Sequence, residues 1–143
     1  MHPQTRENLL RAMRREAFSF AKYMLCAVQA RKHGRPEVAD LFEKVARQEY
    51  FEHFAEQALD LGLISTEAEN LQFAIEEEAY EADTMYREFE TQADTVGDHA
   101  AAERFRRLGQ DERRNHDEFL AALRMLDPPD PAVGVSALDD RKE

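Results

Sequence analysis

The sequence predicts an all-α protein, an antiparallel bundle of four helices, and three observations carry that prediction. Glycine is scarce, five in 143 residues, while Ala, Leu, Glu and Arg are abundant, a composition that favours helix over sheet. Four long segments each repeat apolar residues at helical spacing. Short stop signals separate the segments, so the helices turn back on one another. A chain of this length forms one domain and can bury a real core.

Thr5 is placed to cap the first helix, which runs to about His33 with Leu9, Met13, Phe20, Tyr23, Ala27 and Ala30 on one face. Gly34-Arg35-Pro36 ends it and starts the second. That helix carries Val38, Leu41, Phe42, Val45 and Ala46 and continues to about Leu61, where Gly62 stops it. Thr66 with Glu69 is a capping-box pattern opening the third helix, whose stripe is Leu71, Ile75, Met85, Phe89 and Val96. Gly97-Asp98 closes the third and caps the fourth, which presents Phe105, Leu108, Phe119 and Leu123 and runs to about Leu126. Asp127-Pro128-Pro129-Asp130-Pro131 cannot continue a helix, so residues 127–143 are expected to be a short disordered tail behind a bundle domain of residues 1–126.

Charge narrows the function. The formal net charge of -11 repels nucleic acid, and no basic patch overrides it: Arg11, Arg14 and Arg15 flank Glu16, and Arg113 and Arg114 lie among acids. No apolar run is long enough to span a bilayer and the N-terminus has no apolar signal region, so no membrane partner and a cytoplasmic location are expected. The single cysteine, Cys26, sits in an apolar stretch; it excludes an intramolecular disulfide and a thiolate metal cluster.

The apolar stripes are interrupted by acids. Glu16 sits between Met13 and Phe20, Glu49 follows Val45 by four, Glu78 lies between Ile75 and Ala82 with Glu81 a turn further on, and Glu112 follows Leu108 by four. One glutamate in such a place is ordinarily a solvated edge residue. Four at matching depth are another matter, because unpaired buried carboxylates cost several kcal/mol each and repel one another. A cation among them removes both costs. His53 and His116 stand four residues after Glu49 and Glu112 and project from the same helix faces, whereas His2, His33 and His99 lie at helix ends and carry no assigned role.

A duplication binds these residues into one pattern. A shift of 62 places Glu16 on Glu78, Ala12 on Ala74, Ala17 on Ala79 and Phe18 on Tyr80; after the first loop a shift of 63 places Phe42 on Phe105, Glu49 on Glu112 and His53 on His116. One helical hairpin has been used twice, and its acids and histidines are what the copies share. Surface charges have no reason to keep that register. Glu81 replaces Ser19 of the first copy, so one side has an additional carboxylate. Five glutamates and two histidines match the ligand set of a dinuclear carboxylate site, and hard oxygens with two imidazoles suit iron first, with manganese or zinc as substitutes.

Glu16 with Glu49 and His53, repeated as Glu78 with Glu112 and His116, resembles the ferritin-like di-iron proteins, and rubrerythrins in particular. The stretch from Ala74 to Tyr86, with its Glu78-x-x-Glu81 step and the Met85-Tyr86 that follows, is similar to the third helix of rubrerythrins. The resemblance covers about residues 6 to 126. It implies a ferritin-like bundle with two irons, Glu49 and Glu112 bridging, and Glu16 and Glu78 as terminal ligands. It also implies that Glu81 and His53 exchange at one iron as the redox state changes, and that Tyr23 and Tyr86 hydrogen-bond near the site. The activity implied is reduction of hydrogen peroxide by the iron pair. Paired cysteines of a rubredoxin domain are missing, so electrons would come from a separate donor protein.

The copies depart from the family's usual Glu-x-x-His: both read Glu-x-x-x-His, with Tyr50 and Arg113 where the usual glutamate would stand. A local π-bulge would restore the geometry, and Glu52 is the substitute ligand if His53 turns away. The alternatives are a ferroxidase or iron-handling protein acting with oxygen or peroxide, and a non-catalytic metal-bound module. A homodimer, including one that swaps hairpins, fits the sequence. Ala132-Val133-Gly134-Val135-Ser136-Ala137-Leu138 faintly resembles the C-terminal peptides that load enzymes into encapsulin shells.

Overall fold

A computed structural model describes residues 1–126; the expected tail at 127–143, with its Ala132–Leu138 stretch, lies outside the described residues. The chain is all-α, with no strand among those residues, and it divides at Ser65 and Thr66 into two compact units.

The first unit is an antiparallel hairpin. Helix α1 spans Pro3–Lys32 and is followed by α2, Pro36–Gln48, a π-helical segment at Glu49–Phe54, and α3, Ala55–Asp60, which run on as one rod. The first helix begins two residues before Thr5, the expected cap. Pro3 stands in its first turn, where a fixed φ is already helical and no N–H is missed, and the Nδ1 of His2 accepts from the Gln4 backbone at 3.2 Å. Gly34 and Gly62 end the two rods at φ 68° and 65°, a left-handed conformation that a side chain resists. The hairpin core is built of small residues, with Ala27, Ala39 and Ala46 fully enclosed and Ala58 and Leu61 nearly so. Alanines let the rods approach closely, and rings fill the flanks: Phe20 lies 5.3 Å from Tyr50, and Tyr23 lies 5.8 Å from Phe42.

The second unit repeats the plan. Helix α4, Glu67–Tyr80, opens on the expected capping box, in which Thr66 Oγ1 accepts from the Glu69 backbone and Glu69 Oε2 accepts from that of Thr66. It continues through a π-helical segment at Glu81–Met85 into α5, Tyr86–Thr95, and the rod returns as α6, His99–Leu126, whose first turn is capped by Asp98 Oδ1. Ile75, Ala82, Ala93 and Ala102 are buried, with Tyr86, Phe89 and Phe105 in mutual ring contact.

The stripes are narrower than their periodicity predicts. Val38, Leu41, Phe89 and Val96, expected in the core, are exposed, Val96 at 79 %. Within its own hairpin each rod has one partner rod, which covers a strip of a helix, not a 100°-wide face. Among the described residues, no helix is long and apolar enough to cross a membrane.

Candidate metal centre

In the first hairpin the acids and the histidine meet as expected. Glu16, Glu49 and His53 each offer a ligand atom, and these atoms lie within 4.8 Å of one another. Among the described residues theirs is the group of three that meets so closely. Glu49, 16 % exposed, lies 2.9 Å by Oε2 from His53 Nδ1. Glu16 and Glu49 are also hydrogen-bonded to each other, which two carboxyls can do only by sharing a proton. That bond, then burial, raises the pKa of Glu16, while the bonds from Glu16 and His53 lower that of Glu49; Glu49 in turn raises His53. Glu52, the substitute ligand, is exposed and accepts from Gln48 Nε2 at 3.2 Å.

The π segment explains how His53 arrives there. A π turn takes one residue more than an α turn. The fourth residue along it therefore lies about where the third would lie on an α-helix, and Glu-x-x-x-His acquires the geometry of Glu-x-x-His.

The second hairpin solves the same problem differently. Its π segment lies on the other rod, beginning at Glu81, and α6 passes through Glu112 as unbroken α-helix. The third residue on is Asn115, whose Nδ2 donates to Glu112 Oε2 at 2.8 Å. His116, one step further round, has its Nδ1 2.9 Å from Asp117 Oδ1. Glu78 is raised first by burial and then by its hydrogen bond to Glu112, and its Oε2 is buried with no partner. Burial, then the charge of Glu112, raises Glu81. Tyr86 is raised by burial and by the charges of Glu81, Glu112 and Glu78, so its phenol belongs to the same cluster. Tyr23 packs on Phe42 in the first hairpin.

Three supporting residues escaped the sequence. Asn115 stands at the usual family spacing from Glu112, a signal that was present but masked by the neighbouring histidine. Arg113 pairs with Asp83 of the π segment, tying α6 to that segment and holding the Asp83 carboxyl below its ordinary range. Gly109 lies where a Cβ would come 3.3 Å from Tyr86 Cβ, so its missing side chain lets Tyr86 pack close to α6. Beside it, Ala82, Tyr86, Phe105, Gly109 and Arg113 line a cavity of about 220 Å3.

The residues fit a cation-binding role. A buried carboxylate oxygen without a partner and carboxyls that must share protons are groups that a metal ion would satisfy. The donor atoms are carboxylate oxygens with imidazole, a set suited to iron or manganese. Protonation carries a measurable consequence. Glu16, Glu78, Glu81 and His53 bind protons more tightly in the folded protein than in the unfolded chain, so the stability they contribute is lost as pH rises above about 4.5 for the glutamates and 6.5 for the histidine. Glu49 and Asp83 act oppositely, their contribution being lost only in stronger acid. Thermal scans of the metal-free protein should therefore show the melting temperature falling from pH 5 to pH 8. The rise caused by added Mn2+ should grow over the same range, because metal and protons compete for the same oxygens. A metal-free midpoint that climbs steadily with pH would contradict this account.

The family model described as Rubrerythrin matches residues 52–124, half of the chain. No curated protein matches it.

Proposed function

This chain belongs to the rubrerythrin family, and from that premise we propose that it is a peroxidase, reducing hydrogen peroxide at a di-iron centre with electrons from a separate donor protein. The ligands would be Glu16, Glu49 and His53 from the first hairpin and Glu78, Glu81, Glu112 and His116 from the second. The observation that carries this reading is the cluster of Glu16, Glu49 and His53, whose ligand atoms lie within 4.8 Å of one another. Two bound irons would supply one electron each, enough with two protons to cleave the O–O bond and release two waters.

The chain's own residues position, shield and hold protons. Burial and the Glu112 charge let Glu81 keep a proton on its carboxyl in the metal-free protein at a pH where a solvated glutamate has lost it. The same surroundings keep the Tyr86 phenol protonated, and Phe89 and Phe105 pack on its ring. In the first hairpin, Tyr50 and Phe54 stack at 5.9 Å within the π segment that carries Glu49 and His53. The cavity lined by Tyr86, Gly109 and Arg113 has room for an oxidant as small as peroxide. Glu81, an oxygen-rich addition without counterpart in the first copy, favours peroxidase over ferroxidase chemistry.

The test is stopped-flow oxidation of the iron-loaded, anaerobically reduced protein. Peroxide should oxidise it at least about tenfold faster than air-equilibrated buffer does, ~1.4 kcal/mol of barrier. Equal rates, or a faster reaction with oxygen, would make the protein a ferroxidase.

A further inference from the structure

The shift that lays one hairpin on the other is 62 at Glu16 and Glu78 but 63 at Tyr23 and Tyr86. In the first hairpin α1 runs unbroken from Glu16 to Tyr23, and the Tyr23 ring lies 5.8 Å from Phe42. A plain α-helix from Glu78 would bring Met85 to the corresponding place. Instead the Tyr86 N–H donates to the Glu81 carbonyl, five residues back, where an α-helix would use that of Ala82. The π turn absorbs one residue, and Tyr86 comes to lie 6.3 Å from Phe105, the counterpart of Phe42.

A surplus residue can sit at many points along a rod, so its place must be held by what packs against it. Two contacts hold it at Glu81–Met85, one turn apart on α6 and both within the hairpin. Gly109 leaves room: a Cβ there would stand 3.3 Å from Tyr86 Cβ and 3.7 Å from the Ala82 carbonyl oxygen. Arg113 pairs with Asp83 in the middle of the segment, and Arg87 adds to the same carboxylate at 3.5 Å. The first hairpin is an internal control. The counterparts of Gly109, Arg113 and Asp83 there are Ala46, Tyr50 and Ala21. Ala46 is fully enclosed, Tyr50 packs on Phe20, no ion pair can form between Tyr50 and Ala21, and α1 stays α-helical throughout.

We propose that Arg113 and Asp83 are positioning residues, whose ion pair pins the π turn of the second hairpin at Glu81–Met85 in the room left by Gly109. The pin holds Tyr86 opposite Phe105 and makes Glu81 the residue from which the widened turn starts. The bearing of that placement on peroxide chemistry rests on the function proposed above; the pinned turn itself does not. Both partners are partly exposed, so the pair adds little to overall stability. Its effect is local: it decides where the surplus residue lies, not whether the helix forms.

The experiment is nuclear magnetic resonance of the full-length, metal-free protein. It reads the coupling across the hydrogen bond from the Tyr86 amide nitrogen to its acceptor carbonyl carbon, and amide hydrogen exchange residue by residue. Circular dichroism reports helix in each variant. Wild type should couple Tyr86 to Glu81. Asp83→Ala and Arg113→Ala, which introduce the best helix former, should keep their helix content and weaken that coupling. Exchange of the Tyr86 and Arg87 amides should quicken by roughly two- to fivefold, with Ile75 and Ala102 unchanged. Asp83→Glu and Arg113→Lys, which keep the charges, should return to wild-type values. Unchanged exchange in both alanine variants, equal acceleration at Ile75 and Ala102, or no return in the charge-keeping variants would overturn the pin. Wild type in which Tyr86 couples to Ala82 would overturn the π turn itself. A protein that reacts no faster with peroxide than with oxygen would remove the peroxidase reading and leave these results standing.

Discussion

Glu49→Gln is expected to leave a helical protein that has lost its metal-dependent stability. Glu49 is the acceptor on which the first hairpin's cluster converges, close to both Glu16 and His53. A glutamine there keeps the size and one carbonyl oxygen but gives up the charge, and a neutral amide is a poor ligand for a hard cation beside an imidazole. The metal-free variant should keep its helix, because relief of the like-charged pair offsets the lost Glu49–His53 ion pair. Metal should tell the two apart. At a free ion concentration 100 times the dissociation constant, binding stabilises a native protein by about 2.7 kcal/mol. For a chain of this size that is a melting shift on the order of 5–10 °C, and the variant should show almost none of it. Differential scanning calorimetry with and without Mn2+ or anaerobic Fe2+ makes the measurement. A variant that still rises by the wild-type amount would remove Glu49 from the ligand set.

Deleting Phe51 should be tolerated where deleting Leu41 is not. Both side chains are similarly exposed, 58 % and 61 %, so simple loss of burial does not separate them. Each residue removed from a continuous α-helix turns everything beyond it by about 100°. Without Leu41, Phe42, Val45, Ala46 and Glu49 would leave the α1 face together, and the first hairpin should lose cooperative melting. Phe51 lies in the π segment, where one residue is already surplus to the α repeat. Removing it should convert the segment to plain α-helix, leave the residues beyond it facing as before, and change the metal motif to Glu-x-x-His. The remaining cost is the edge contact with Tyr50 and the Arg47 cation over the ring, about 1 kcal/mol each. The deletion variant should therefore keep its helix content and the rise in melting temperature caused by added Mn2+. If it melts like the Leu41 deletion, the π segment is not an insertion that the hairpin absorbs.

Both experiments probe the boundary between what a linear pattern records and what packing decides. Helix existence was legible because stop signals are local: Gly34, Gly62 and Gly97 each supply the left-handed turn that ends a helix, and Thr66 with Glu69 caps α4 through atoms three residues apart. The acids were legible for a related reason, since a carboxylate repeated in register on an apolar stripe is costly enough to imply a partner. Glu16, Glu49 and His53 were legible as candidates from their places on the stripes and from the duplication, and the structure brings their ligand atoms within 4.8 Å of one another.

The tertiary structure decided matters that depend on a single added residue. Periodicity cannot distinguish a helix that continues from one that admits a π turn, because the apolar stripe resumes on the same face afterwards. The two copies carry the same Glu-x-x-x-His letters, yet the first hairpin widens its second rod at that motif and the second hairpin widens its first rod at Glu81. His53 consequently reaches Glu49, whereas Asn115 takes the corresponding place beside Glu112 and His116 turns to Asp117. The sequence by itself determined which carboxylates share a face and that they repeat; only the packed hairpins decided which side chain answers each of them, because hydrogen bonds at 2.8–2.9 Å depend on a rotation that one residue of helical phase is enough to change.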